Sequence, residues 1–322
     1  MVEFPDIQAA YDRIKSAVNH TPIMTSRTLN HILHAEVYFK CENFQRVGAF
    51  KFRGAINAVM MLSDDQKKRG VITHSSGNHA QALALAAKLA GIKAVIVMPQ
   101  GSPQVKINAT RETYDAEVVI CENTLQARHD TCEKLIRDHG YTLIHPYDNE
   151  NVIAGAGTAC YELLHEVKDL DLVIAPVGGG GLLSGTALAA KGINSKIKVF
   201  GAEPKLVDDA ARSIQLGKIQ HNSQINTIAD GLRTDLCERT FNIIQRNVDQ
   251  ILTVTESKII DAMRFLWERM KLVVEPSGAV SLAAIMSNPT LISGKRIGVI
   301  ISGGNVDVEV FFTTLQQKIV NN

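Results

Sequence analysis

Apolar residues at the start of the chain recur at helical spacing, and further along they contract into short continuous runs. Ile7, Tyr11, Ile14 and Val18 share one helical face with Pro5 in the first turn, and Thr21-Pro22 ends that helix. Leu29, Ile32 and Leu33 predict a second helix. The alternation of Val37 and Phe39 predicts a half-buried strand over 36–40. Helix formers then run over 55–62 and stop at Ser63-Asp64-Asp65. From Gly70 the rhythm changes. Strands are predicted at 71–73, 94–98, 118–120 and 141–144, separated by helices at 78–89, 103–113 and 125–137.

Strands that are continuous apolar runs alternating with helices are parallel strands covered on both faces, so the chain is α/β. The segment 65–146 forms a smaller α/β domain in this reading, and 1–64 with 147–322 a larger one. In the larger one the pattern repeats, with a long helix at 152–167, strand 172–175, helix 182–190 and strand 199–202. A less regular stretch, 205–230, leads to helices at 241–245 and 258–272 and a last strand at 297–302. The sequence has no low-complexity linker and no fixed-period repeat.

Composition narrows the function. The chain has 322 residues, 45% hydrophobic and 21% charged, ample for a core and consistent with roughly two domains. A net charge of +1 gives no electrostatic reason for nucleic acid or an anionic membrane as partner, and a small neutral or zwitterionic substrate fits better. Five scattered cysteines without a Cys-x-x-Cys spacing indicate reduced thiols and a cytoplasmic location. Glu3 and Asp6 stand where a signal peptide would be basic, and no apolar stretch reaches membrane-spanning length.

The candidate chemistry centres on 48–54, Gly-Ala-Phe-Lys-Phe-Arg-Gly. Lys51 stands between Phe50 and Phe52 at the start of a helix, where desolvation and the positive helix end both disfavour the ammonium. A lysine kept partly neutral is a nucleophile able to form a Schiff base. The plain alternative is a surface lysine whose stem packs on aromatic rings. Gly178, Gly179, Gly180 and Gly181 follow a strand and open the helix at Leu182, a phosphate site by construction. Gly179-x-Gly181-x-x-Ser184, with Glu203 closing the next strand, also nearly satisfies a dinucleotide fingerprint, so a dinucleotide-binding protein stays open here. Ser75-Ser76-Gly77-Asn78-His79 is a helix N-terminus suited to a carboxylate, or simply an N-cap. Ser302-Gly303-Gly304-Asn305 ends the last strand, where open α/β sheets place ligands.

Together with Ala229-Asp230-Gly231 and Glu275-Pro276-Ser277-Gly278, these motifs stand in the order found in one family. The chain resembles the fold type II pyridoxal-phosphate enzymes, within them the serine/threonine dehydratase and serine racemase group, over nearly its whole length. The resemblance implies the tryptophan synthase β-like architecture: two open, twisted, mostly parallel sheets with helices on both faces. It implies that Lys51 holds pyridoxal 5'-phosphate as a Schiff base and acts as catalytic base. Phe50 and Gly231 would flank the ring, Gly178 to Gly181 with Leu182 would bind the phosphate, Asn78 would meet the phenolate oxygen and Ser302 the pyridine nitrogen. The substrate carboxylate would rest on Ser75, Asn78 and His79, with Thr234 near it.

Ser302 cannot keep the pyridine nitrogen protonated as an aspartate would, which suits a substrate with a β-leaving group. The implied activity is therefore α,β-elimination of L-serine, L-threonine or a related β-hydroxy amino acid to a keto acid and ammonia. Serine racemase or β-hydroxyaspartate dehydratase as the main activity are the alternatives. Ser76 matches the racemase pattern, in which a second acid/base group faces the lysine across the cofactor. Glu203, Asp209 and the carbonyl of Val207 match positions that bind a divalent cation, Mg2+ or Ca2+, in racemase-like members; the plain reading is an exposed acidic loop. The resemblance also implies a homodimer. Arg128 as a substrate-carboxylate partner, and Arg53 and Glu275 as tuning residues, rest on thinner grounds.

Overall fold

The computed structural model describes residues 1–75, 77–102 and 107–316. Ser76, and the start of the helix expected at 103–113, lie outside the described residues. Ten strands are described: β1 (Ile23–Thr25), β2 (Glu36–Cys41), β3 (Val71–His74), β4 (Ala94–Pro99), β5 (Glu117–Cys121), β6 (Thr142–Leu143), β7 (Leu172–Pro176), β8 (Lys198–Pro204), β9 (Gln250–Val254) and β10 (Arg296–Ile301). They form one sheet ordered β1-β2-β10-β7-β8-β9 and another ordered β5-β4-β3-β6. All pairings are parallel except β1 with β2. The expected α/β architecture of two mostly parallel sheets is the one observed.

Helices cover both faces of both sheets, which is why the strands read as unbroken apolar runs. On the larger sheet, helices Glu256–Met270 and Pro276–Ser287 share a core with Val37, Ile174 and Val299 on one face. Helices Glu150–Glu166 and Gly181–Ile193 pack with Val173, Val199 and Ile300 on the other. On the smaller sheet, helix Asn78–Ala90 packs with Val71, Ile96 and Val118. Ile72, Val95 and Val97 meet Cys132 of helix Leu125–His139 on the opposite face.

Helix Lys51–Met60 buries Phe52, Ala55, Ile56 and Val59 in the core of the smaller sheet, although its N-terminus is strapped to the larger one. That helix therefore bridges the two sheets. Because the strands run parallel, the segments after β3, β7, β8 and β10 leave from carboxyl ends, where ligands bind in open α/β sheets.

Several elements differ from the sequence reading, among them the short helices Asp64–Arg69 and Pro289–Ile292 and the helix Val308–Gln316. β9 was not expected, because its exposed Gln250 and Thr253 dilute the apolar run. β1 is three residues long and too short to register as a pattern. Helix Asp209–Leu216 lies inside the stretch read as irregular. Helix Pro276–Ser287 is buried all round from Pro276 to Ile285, so it shows no amphipathic period.

Candidate active site

Lys51 opens its helix from a segment tied to the loop after β10. Phe50 N donates to the Ser302 carbonyl (2.9 Å), Gly304 N donates to the Gly48 carbonyl (2.9 Å), and Ala49 bridges Gly303 antiparallel. These bonds fix where the lysine leaves the backbone. Its Nζ donates to Pro146 O at 3.0 Å and lies 5.0 Å from the Phe50 ring centroid. Burial lowers this amine to about 8, against the negative charge of Glu275, which favours the ammonium. The second flanking ring does not take part: Phe52 is fully buried in the core of the smaller sheet.

Behind Lys51 the helix is anchored by ions. Arg53 is fully buried and bidentate to Glu42 (2.7 and 2.9 Å) and to Glu162 (2.8 and 2.8 Å). Buried Lys40 completes the cluster at 2.7 Å from Glu162. Buried structural pairing thus accounts for Arg53.

Pro146 leads directly to the glycine turn. Tyr147 packs so closely that a Cβ at Gly179 would lie 2.4 Å from its ring. Gly180 has φ +84°, a conformation costly for residues with a side chain. With Gly180 as N-cap, the backbone N–H groups of Gly181 and Leu182 open helix Gly181–Ile193 as an anion-binding end. On the other side, a Cβ at Gly178 would lie 2.8 Å from Leu232 Cα. Gly231 N donates to Ser277 Oγ (3.0 Å), and Glu275 N donates to the Gly303 carbonyl (3.2 Å), beside buried Ser302.

Asn78 closes the circle. Its Nδ2 donates to both carboxylate oxygens of Glu275 (2.9 and 3.2 Å), and its Oδ1 accepts from Asn305 Nδ2 at 2.9 Å. The lysine segment, the glycine turn and the segments at Asn78, Gly231, Glu275 and Ser302 are therefore joined in one ring of contacts that includes Lys51. Ser75 Oγ accepts from Gly77 N at 3.3 Å beside Asn78. His79 is buried, donates from Nε2 to Ile144 O (2.9 Å) and is pushed down to about 3, chiefly by burial. Its imidazole is thus neutral, with Nε2 turned to the protein and the buried Nδ1 without a partner among the described residues. Thr234 is exposed beyond the Asp230–Leu232 turn and has no hydrogen bond among the described residues.

Glu203 and Asp209 are fully buried, not an exposed loop. Glu203 accepts from Ala210 N (3.1 Å) and Ala211 N (3.0 Å), while Asp209 accepts from Asn222 Nδ2 (2.6 Å) and Leu236 N (3.2 Å). Burial, then the charge of Asp209, raises Glu203 well above the carboxylate range; burial pushes Asp209 up to about 6. Two desolvated carboxylates, Glu203 raised further by the charge of Asp209 and Asp209 by that of Asp235, suit an added cation. Fully buried, Glu203 is not presented as the ribose ligand that the dinucleotide alternative requires.

Two participants carry no chemical signal in the sequence: Pro146 and Tyr147, which connect Lys51 to the glycine turn. Asn305 belongs to a recognised motif, but its partner Asn78 is 227 residues away.

A half-buried lysine of lowered pKa beside a glycine-lined helix end, at the carboxyl ends of two mostly parallel sheets, defines a fold type II cofactor site for an aldehyde bearing a phosphate. Comparison with known proteins agrees. The chain belongs to the pyridoxal-phosphate dependent enzymes, whose family model matches residues 14–303. It is 49% identical to the serine racemase of Dictyostelium discoideum, over 95% of this chain and 96% of that protein; the crystal structure superimposes with a TM-score of 0.91. It is also 49% identical to the L-threo-3-hydroxyaspartate ammonia-lyase of Saccharomyces cerevisiae, over 98% of this chain and 97% of that one. The crystal structure of a threonine deaminase from T.th. is 42% identical, covers 95% of this chain and 99% of its own, and has a TM-score of 0.90.

Proposed function

We propose that the chain is a pyridoxal-phosphate-dependent ammonia-lyase that converts L-serine, L-threonine or a related β-hydroxy amino acid to a keto acid and ammonia, with serine racemisation as a second activity. The observation that carries this is Lys51 Nζ, lowered to about 8 and enclosed by the ring of contacts from Pro146 to Ser302. The cofactor, when bound, supplies the electron-withdrawing ring that acidifies the substrate Cα–H.

The chain's residues do the rest. Lys51 would hold the cofactor through its aldehyde, and its Nζ, when neutral, is the base for the substrate α-proton. Phe50 and Gly231 flank the ring. The N–H groups from Gly178 to Leu182 hold the phosphate. Asn78 gives an N–H to the phenolate oxygen, and Ser302 offers a neutral hydroxyl to the pyridine nitrogen. Ser75, Asn78 and the His79 backbone orient the substrate carboxylate, with Thr234 beside it, and Ser76 is the second acid/base group that inversion requires. Glu203, Asp209 and the Val207 carbonyl hold Mg2+ or Ca2+. Residues 65–146 form the small domain, 1–64 and 147–322 the large one, in a cytoplasmic homodimer.

Incubation with L-serine, followed by parallel assay of keto acid, ammonia and D-serine, tests the reading. Keto acid as the main product supports it, D-serine as the main product makes racemisation the principal role, and neither product from any of the three substrate classes overturns it. One observation favours β-hydroxyaspartate as substrate: the buried Nε of Arg128 has no partner among the described residues, and its charge acts on His74 at the end of β3. A second substrate carboxylate would pair there, so Arg128→Met would raise KM for hydroxyaspartate selectively.

A further inference from the structure

Asn78 carries two tasks in the reading above, and its side chain is held by two neighbours within the protein. A primary amide has two N–H donors on Nδ2 and one acceptor oxygen. Glu275, as a carboxylate, only accepts, and it takes one Nδ2 proton across its two oxygens (2.9 and 3.2 Å). Asn305 Nδ2 donates to Asn78 Oδ1 at 2.9 Å, and also donates to the Val47 carbonyl at 2.6 Å. Flipping the Asn78 amide would set oxygen against carboxylate and N–H against N–H, losing both bonds together. Its orientation is therefore fixed by two residues that adjoin one another, Glu275 through its N–H to the Gly303 carbonyl and Asn305 two residues beyond Gly303.

The surroundings are built for this arrangement. Val47 has φ 55°, a left-handed conformation unfavourable for a β-branched residue, and its carbonyl is the one that Asn305 meets. A Cβ on Gly48 would lie 2.5 Å from Asn305 Oδ1, so the segment leading to Lys51 is shaped around the Asn305 amide. Glu275 is buried, is the N-cap residue of helix Pro276–Ser287, and its backbone N–H is bonded to Gly303. Neither side chain is free to follow Asn78 if it turns.

We propose that Asn305 and Glu275 are positioning residues for the reaction: they lock the Asn78 amide so that one N–H is spent on Glu275 and the other remains for the phenolate oxygen of the cofactor. The inference rests on the cofactor reading above. It adds that Asn305 acts only through Asn78, and that Glu275 acts on the amide as an acceptor.

The test is a double-mutant cycle on holoenzyme. The dissociation constant for pyridoxal phosphate is read from the visible band on dilution into decreasing cofactor. Asn305→Ala is expected to raise it about tenfold in the wild-type background and less than about twofold in an Asn78→Ala background. Glu275→Gln, which keeps an acceptor for Asn78, is expected to stay within about threefold, whereas Glu275→Leu is expected to lose about tenfold. A merely structural Asn305 would weaken binding equally in both backgrounds, and that result overturns the proposal, as does an Asn305→Ala enzyme indistinguishable from wild type. Should Asn305→Ala fail to fold, Asn305→Asp has nearly the same volume, replaces the donor by acceptors, and carries the same expectation. Absence of any visible band in the wild-type protein would sink the cofactor reading itself, a failure separate from that of the cycle.

Discussion

The sharpest consequence of the site is the pH at which Lys51 becomes reactive. An ordinary lysine titrates at 10.5; burial brings Lys51 to about 8. At about pH 7 an amine of that pKa is ~9% neutral, against ~0.03% for an unperturbed lysine, a gain of roughly 300-fold in the nucleophilic form. The sign follows from the cause. Desolvation penalises only the ammonium, so capture of the cofactor aldehyde should rise about tenfold per pH unit below about 8 and level off above it. The perturbation that isolates the effect is Glu275→Gln, because the Glu275 charge is what favours the ammonium; its removal should move the midpoint to lower pH. Cofactor-free protein would be mixed with pyridoxal phosphate between about pH 7 and 9.5, above the phosphate titration, and the growth of visible absorbance followed. A rate that climbs without a break through the whole range would mean an unperturbed amine and refute the reasoning. So would a midpoint that moves up in Glu275→Gln.

Three further outcomes are expected. Gly179→Ala places a Cβ 2.4 Å from the Tyr147 ring and should cost about 1–3 kcal/mol by overpacking, with weakened cofactor retention; chemical denaturation and the visible band measure the two effects. Arg53→Met leaves Glu42 and Glu162 buried without their shared cation and should destabilise the fold by about 3–5 kcal/mol, read from the urea midpoint. Mg2+ or Ca2+ at about 100 times its dissociation constant should stabilise the protein by about 2.7 kcal/mol in thermal unfolding, and Asp209→Asn should abolish the gain; an identical gain in that variant would place the cation elsewhere.

Much of the fold was legible because parallel strands covered on both faces leave an unmistakable record of short apolar runs. What escaped includes two kinds of element. β9 and β1 are edge strands of the larger sheet, half-exposed or very short, and their place is decided by the strand beside them. Helix Pro276–Ser287 is buried on every side, so periodicity, the signal that finds helices, is absent from it. The site was legible as motifs and not as a structure. Lys51, the four glycines and Ser302 each announced a local chemistry, while Phe52, the neighbour of Lys51 in sequence, packs in the core of the smaller sheet, because a helical turn sends adjacent side chains in different directions.

The sequence by itself determined the residue types: an amine at a helix start, glycines where backbone must approach, carboxylates and amides at strand ends. Only the tertiary structure decided which of them meet. Asn78 and Glu275 are 197 residues apart, and Lys51 and Pro146 are 95 apart. The physical reason is that local preferences act over a few residues, whereas these contacts depend on how two sheets, bridged by one helix, direct their carboxyl ends toward a common centre.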